Sequence, residues 1–245
     1  MAEVMTPDGA TELLSATTDE NGDVAVGYWG SDGYSNAGTG SNSSTDCQDG
    51  TATVWAEHWV TAYPWWFNSG STPSNLNVTN AETTLNSAVN NIVTARNNCG
   101  IADNVTATHN YRGRTSTGTN IGATNGCASR DGISVVSFGD LTSEKVGYSC
   151  WWYVIREGNY EMVEADIKLN KVEYGWWLPS FDSTCSGKYS VEAVLTHEFG
   201  HAYGLDHVSE STHGNLTMSS ASNGTCQNSE ATLGWGDING LNVHY

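Results

Sequence analysis

The stretch HEFGHAYGLDH, residues 197–207, decides the fold that we expect of this chain. His197 and His201 are four residues apart, so a helix brings both imidazoles to one face, about one turn apart. Gly204 follows where a left-handed glycine can end a helix, and the reversed chain can then deliver His207 to the same point. The stretch therefore predicts a metal site of three histidines at the C-terminal end of a helix.

The same stretch predicts the chemistry of that site. Three protein ligands leave the fourth position of a tetrahedral Zn²⁺ open, which is typical of one catalytic zinc rather than a structural one. The ion lowers the pKa of its water to about 7, and Glu198 is placed to take the proton as the water attacks a carbonyl. Glu198 then returns the proton to the leaving amine. With Gly204 and His207 required at their offsets, such a pattern arises by chance in about 1 chain in 30,000.

Working outward, the pattern predicts a second helix and a sheet. Ser190 is predicted to cap the motif helix, which runs to Tyr203. An earlier helix is predicted from the capping-box pair Thr79 and Glu82, with breakers from residue 97 onward. Before the earlier helix and between the two helices, β-rich runs predict strands. These strands are at residues 54–67, 105–111, 133–138, 147–155 and 162–169, the last with Val163, Ala165, Ile167 and Leu169 on one face.

Length and charge limit the organisation and the partners. The 245 residues suit one main domain, which we place at residues 54–245, with residues 1–53 as a loop-rich and β-rich N-terminal extension packed on it. The formal charge of −18 argues against nucleic acid and against an anionic membrane surface as partners. We expect a monomer that acts on protein or peptide substrates.

Cysteine usage predicts the compartment. The six cysteines lack the close pairs of a zinc ribbon, so we expect three disulfides and a secreted, extracellular protein. Of the 15 pairings, we choose only Cys185 with Cys226, because they bracket the metal motif. No apolar run approaches the roughly 20 residues of a membrane helix. Residues 1–18 lack a signal peptide, so we interpret Met1 as a start residue added to a mature or truncated chain.

The motif and its surroundings resemble the metzincin clan, in which a methionine-bearing turn lies beneath the zinc. Met218, in NLTMS, matches that turn. The ending LGWGDINGLNVHY, residues 233–245, is similar to the C-terminal helix of matrixins. The segment VEADIKLN, residues 163–170, is similar to the sheet strand that precedes their active-site helix. From about Trp65 the chain looks most like the secreted matrixin-like proteins of actinobacteria. The resemblance implies an α+β fold in which a twisted five-stranded mixed sheet accompanies the active-site helix, the Met-turn and a C-terminal helix.

The resemblance also implies where substrate binds. In the family an edge strand pairs with extended peptide, and residues 147–153 match that strand. The substrate-contact candidates on it are Gly147, Tyr148, Trp151 and Trp152. The chain departs from the family in lacking a serine directly after His207 and a Pro-x-Tyr wall after Met218, so no cleavage specificity is carried over.

Calcium has no clear motif. Asp19, Asn21 and Asp23 resemble part of a calcium loop, but the downstream glutamate of an EF-hand is missing. The calcium and structural-zinc loop of animal matrixins is not visible before Gly147. Catalytic Zn²⁺ is therefore the one cofactor that the sequence supports.

Two other functions remain open at this stage. One is a secreted adhesion or binding module with a relic zinc site, although a structural site has no need of Glu198 beside an open position. The other is a zinc hydrolase of a non-peptide amide, which the ten tryptophans keep open as stacking surfaces for carbohydrate.

Overall fold

The computed structural model describes residues 45–124, 126–142 and 144–245, and the backbone of four strands between residues 2 and 35. The calcium-loop candidates Asp19, Asn21 and Asp23 lie outside the described residues. Within the described part of the chain, no helix is long and apolar enough to cross a membrane.

The described elements follow the predicted order of sheet, helix, sheet and motif helix. The strands are β1 (Ala2–Met5), β2 (Thr11–Thr18), β3 (Val24–Gly27), β4 (Tyr34–Ser35), β5 (Thr53–Val54), β6 (Tyr63–Asn68), β7 (His109–Thr115), β8 (Val135–Gly139), β9 (Lys145–Arg156), β10 (Asn159–Asn170), β11 (Trp176–Trp177), β12 (Tyr189–Ser190) and β13 (Leu205–Asp206). The α-helices are α1 (Val78–Val93), α2 (Val191–Ala202), α3 (Glu210–His213) and α4 (Trp235–Leu241), and short 3-10 helices lie at Ser69–Ser71 and Ser229–Ala231.

Within residues 45–245, five strands form a mixed sheet in the order β9-β10-β8-β6-β7. The pairs β10–β8, β8–β6 and β6–β7 are parallel, and β9 is antiparallel to β10. The parallel strands need long crossovers, and α1 supplies one of them between β6 and β7. This arrangement confirms the predicted α+β fold with a five-stranded mixed sheet.

The prediction that β9 is a free edge was wrong. β9 is the outer strand only among residues 45–245, because β3 and β4 of the N-terminal extension pair with it in antiparallel fashion. Val26 lies opposite Tyr153, and Tyr34 lies opposite Gly147. The exposed N–H and C=O groups of an edge strand pair with any extended segment within reach, and here the chain itself supplies one.

The main core lies between the sheet and the helices α1 and α2. α1 contributes apolar residues at helical spacing, which bury one stripe of the helix. A smaller cluster lies on the other face of β9, beneath the segment between β7 and β8. The buried apolar residues of α1 are Ala81, Leu85, Ala88, Val89 and Ile92.

Two local predictions were wrong in detail. The N-cap of α1 is Asn77, whose side chain accepts from the Asn80 N–H at 3.1 Å, so the pair Thr79 and Glu82 does not cap it. In β10 a register shift between Met162 and Glu164 moves Val163 away from the main core. A bulge inserts one residue and so reverses the alternation on one side of it.

Disulfides tie the outlying segments to this core. The bonds are Cys47–Cys99, Cys127–Cys150 and Cys185–Cys226, so the predicted pair is confirmed. Residues 45–53 also join the main unit through β5, which pairs with β13. We therefore propose that the domain boundary lies before residue 45 rather than at residue 53.

Asp237 attaches α4 to the loop that carries Met218. Its carboxylate is buried and accepts three backbone N–H groups, from Gly234 at 2.8 Å and from Thr217 and Met218 at 3.0 Å each. Burial raises the pKa of Asp237 to about 6. One side chain therefore caps the helix and fixes the methionine loop at the same time.

We predict that Asp237→Asn lowers the free energy of unfolding by about 2–4 kcal/mol, because in either orientation the amide NH₂ would face at least one buried N–H donor. Denaturant unfolding measures the change. Asp182→Asn is the control, since its carboxylate accepts from Thr184 at the surface. Equal stability of the two variants would contradict the role given to Asp237.

Candidate metal centre

The helix α2 places the first two candidate ligands. Ser190 caps it as predicted, with its hydroxyl accepting from the Ala193 N–H at 3.1 Å. Every residue of α2 is buried, because the helix lies between the sheet and α1. His197 and His201 are therefore fixed side by side in the interior.

The turn after α2 brings in the third ligand. Gly204 has a φ of +88°, and a Cβ there would lie 2.7 Å from the carbonyl oxygen of Glu57, so only glycine fits this reversal. The Nε2 atoms of His197, His201 and His207 form a triangle with sides of 3.1 Å. Among the described residues, this is the one cluster of three histidines that could hold a metal ion.

The orientation of the rings fits a metal. The Nδ1 atoms of His197 and His201 lie 2.7 and 2.9 Å from the carbonyl oxygens of Thr217 and Leu205. A carbonyl only accepts, so Nδ1 carries the proton in each ring and Nε2 presents a lone pair. Three nitrogens about 2.0–2.1 Å from a tetrahedral Zn²⁺ are about 3.3 Å apart, close to the distances found here.

Burial keeps the three imidazole rings neutral. Burial lowers the pKa of His197 well below its usual value, and the neighbouring His201 and His207 lower it further. Burial also lowers the pKa of His201 to about 4, and burial followed by the charges of His201 and Lys145 lowers that of His207. The histidines are therefore neutral near pH 7, the state in which imidazole binds metal.

Met218 lies beneath the histidines. A Cβ on Gly200 of α2 would lie 3.1 Å from the Cε of Met218, so this glycine makes room for the methionine. The Met218 carbonyl accepts from the Val208 N–H at 2.9 Å, which ties the loop to the residue after His207. Met218 contacts the helix by packing, and its role as the Met-turn residue stays a prediction.

Glu198 meets β9 across the interior. Its side chain is buried, and the Ser149 hydroxyl donates to its Oε2 at 2.5 Å. Gly147 lies against the same side chain, where a Cβ would be 2.9 Å from the carboxylate carbon. The sequence analysis missed Ser149, although strand alternation already placed it on the same face as Gly147 and Trp151.

The substrate-contact candidates separate onto the two faces of β9. Tyr148 and Trp152 belong to the smaller cluster, on the face away from α2. Trp151 is fully buried and its ring lies nearly parallel to His201, with centroids 6.4 Å apart. Its placement indicates support of the histidine, and a direct contact with substrate stays a prediction for these four residues.

Comparison with known proteins agrees with this geometry. The model of the matrixin family matches residues 145–245, from the start of β9 to the last residue. A search among curated proteins finds no significant match to the chain. The match covers β9, the three histidines, Glu198 and the methionine loop, so residues 145–245 are similar to the matrixins, metallopeptidases of the metzincin clan.

Proposed function

We propose that this protein is a secreted, monomeric zinc endopeptidase that cleaves internal bonds of proteins or peptides. Matrixins are zinc-dependent peptidases, which supports the general activity. The observation that carries the proposal is the triangle of three unprotonated Nε2 atoms on α2 and its reversal, with the Glu198 carboxylate on the same helix.

The mechanism assigns roles to this chain's own residues. His197, His201 and His207 would hold Zn²⁺, which when bound acts as a Lewis acid toward water and the scissile carbonyl. Glu198 accepts the proton of the attacking water and delivers it to the nitrogen of the leaving amine. The Thr217 and Leu205 carbonyls keep the histidine rings in the required tautomer.

Secretion rests on the cysteines. All six form disulfides, which persist in oxidising compartments and are rare in the cytosol. The net charge of −18 disfavours anionic partners such as nucleic acid. Both features suit a peptidase that works outside the cell.

The structure gives little support to a carbohydrate surface. Trp65, Trp151 and Trp176 are fully buried, and Trp152 is nearly so. Trp66 and Trp177 are the partly exposed partners of two of these residues. These six residues form three adjacent pairs, at residues 65–66, 151–152 and 176–177. Since most of the six are buried in the core, the peptidase is favoured over a hydrolase of cell-wall amides.

We predict that Glu198→Gln lowers kcat/KM on a quenched peptide library at least a hundredfold, because the amide cannot accept the proton. Zinc content should stay at one equivalent, measured by elemental analysis. Glu192→Gln is the control, because Glu192 is buried on the same helix but pairs with Arg96. Full activity in Glu198→Gln, or no peptide cleavage by the zinc-loaded parent, would overturn the proposal.

We also predict that zinc stabilises the fold. A ligand that binds only the folded state at about 1,000 times its Kd adds about 4 kcal/mol, so chelation should lower the Tm by several degrees. Differential scanning calorimetry with and without a chelator measures this shift. His201→Ala should abolish the dependence on zinc, and an unchanged Tm of the parent on chelation would count against a zinc site.

A further inference from the structure

The inner face of β9 presents alternate residues to the active-site helix. Gly147, Ser149 and Trp151 face α2, because neighbouring residues of a strand point to opposite sides. Trp151 lies against His201, while the other two contact Glu198. The strand therefore touches both the ligand set and the proposed base.

The Ser149 hydroxyl contacts two oxygens of Glu198, and the shorter contact is with the side-chain carboxylate. Its Oγ lies 2.5 Å from Glu198 Oε2 and 3.2 Å from the Glu198 carbonyl oxygen. A serine hydroxyl has one hydrogen, so the carboxylate receives the main bond. A hydrogen bond to a carboxylate is shorter and stronger than a neutral one, and Ser149 is itself only 2% exposed.

Gly147 leaves room for the Glu198 side chain because it has no side chain of its own. A Cβ at this position would lie 2.9 Å from Glu198 Cδ and 3.0 Å from Cγ, closer than real side chains approach. The glycine therefore leaves the volume that the glutamate occupies.

We propose that Ser149 is a positioning residue for the base: its hydroxyl orients the Glu198 carboxylate within the space that Gly147 leaves open. The inference rests on the proposed function, since it assigns Glu198 the proton transfer. Rotation of the carboxylate away from the attacking water lowers the reaction rate, because a displacement of about 1 Å in a catalytic group can lower that rate about a hundredfold. Ser149 acts on kcat through Glu198.

The first test removes the hydroxyl and measures kcat and KM separately. We expect Ser149→Ala to lower kcat by about ten- to a hundredfold with unchanged KM and zinc content. Ser149→Thr should restore most of kcat and Ser149→Val should not, because the two differ in the hydroxyl at nearly equal volume. An active parent with equal kcat in Ser149→Ala, or in the Thr and Val variants, overturns the inference.

A matched control separates positioning from stability. Ser134 is a buried serine directly before β8, and its hydroxyl accepts from the Ala165 N–H at 3.1 Å. Ser134→Ala should lower the Tm but leave kcat unchanged. If Ser134→Ala lowers kcat as much as Ser149→Ala does, loss of a buried hydrogen bond explains the effect and the inference fails.

A second test needs no activity. Crystal structures of the parent and of Ser149→Ala should show the Glu198 carboxylate rotated in the variant, and an unmoved carboxylate overturns the inference. Gly147→Ala should displace the same carboxylate, whereas Gly118→Ala, with open space around its Cα, should not. If the parent cleaves no peptide, the proposed function fails, while the crystal structures still show whether Ser149 orients Glu198.

Discussion

The convergence of three imidazole nitrogens at 3.1 Å is the constraint on which the rest of the structure depends. Lone pairs that face one another repel, and burial lowers the pKa of each ring, so protons do not relieve the repulsion near pH 7. The fold must therefore hold the three rings together by its own contacts. It does so with the Thr217 and Leu205 carbonyls, which fix two rings, and with the reversal at Gly204.

The methionine loop and the C-terminal helix also help to hold the histidine rings in place. Met218 packs against Gly200 of α2, and Thr217 donates its N–H to Asp237 while its carbonyl faces His197. The loop would otherwise be free to leave the histidines. The buried carboxylate of Asp237 on α4 therefore links the C-terminal helix to His197 through Thr217. This link explains why residues so late in the chain belong to the candidate site.

The predictions that depend on residues close together in the sequence were mostly correct, and one that depends on distant segments was wrong. The cap at Ser190, the helix α2, the left-handed Gly204 and the pair Cys185–Cys226 were predicted correctly. The face of Val163 was mistaken because a bulge has no clear sequence signal. The free edge at β9 was mistaken because strand pairing depends on which distant segments reach it.

The sequence by itself determined the candidate ligands and the candidate base, because they lie within 11 residues whose geometry is set by helical periodicity and one glycine. Only the tertiary structure decided what surrounds them. Ser149 is 49 residues from Glu198, and Thr217 is 20 residues from His197. Contacts at such separations depend on how the strand, the helix and the loop pack, which no local pattern encodes.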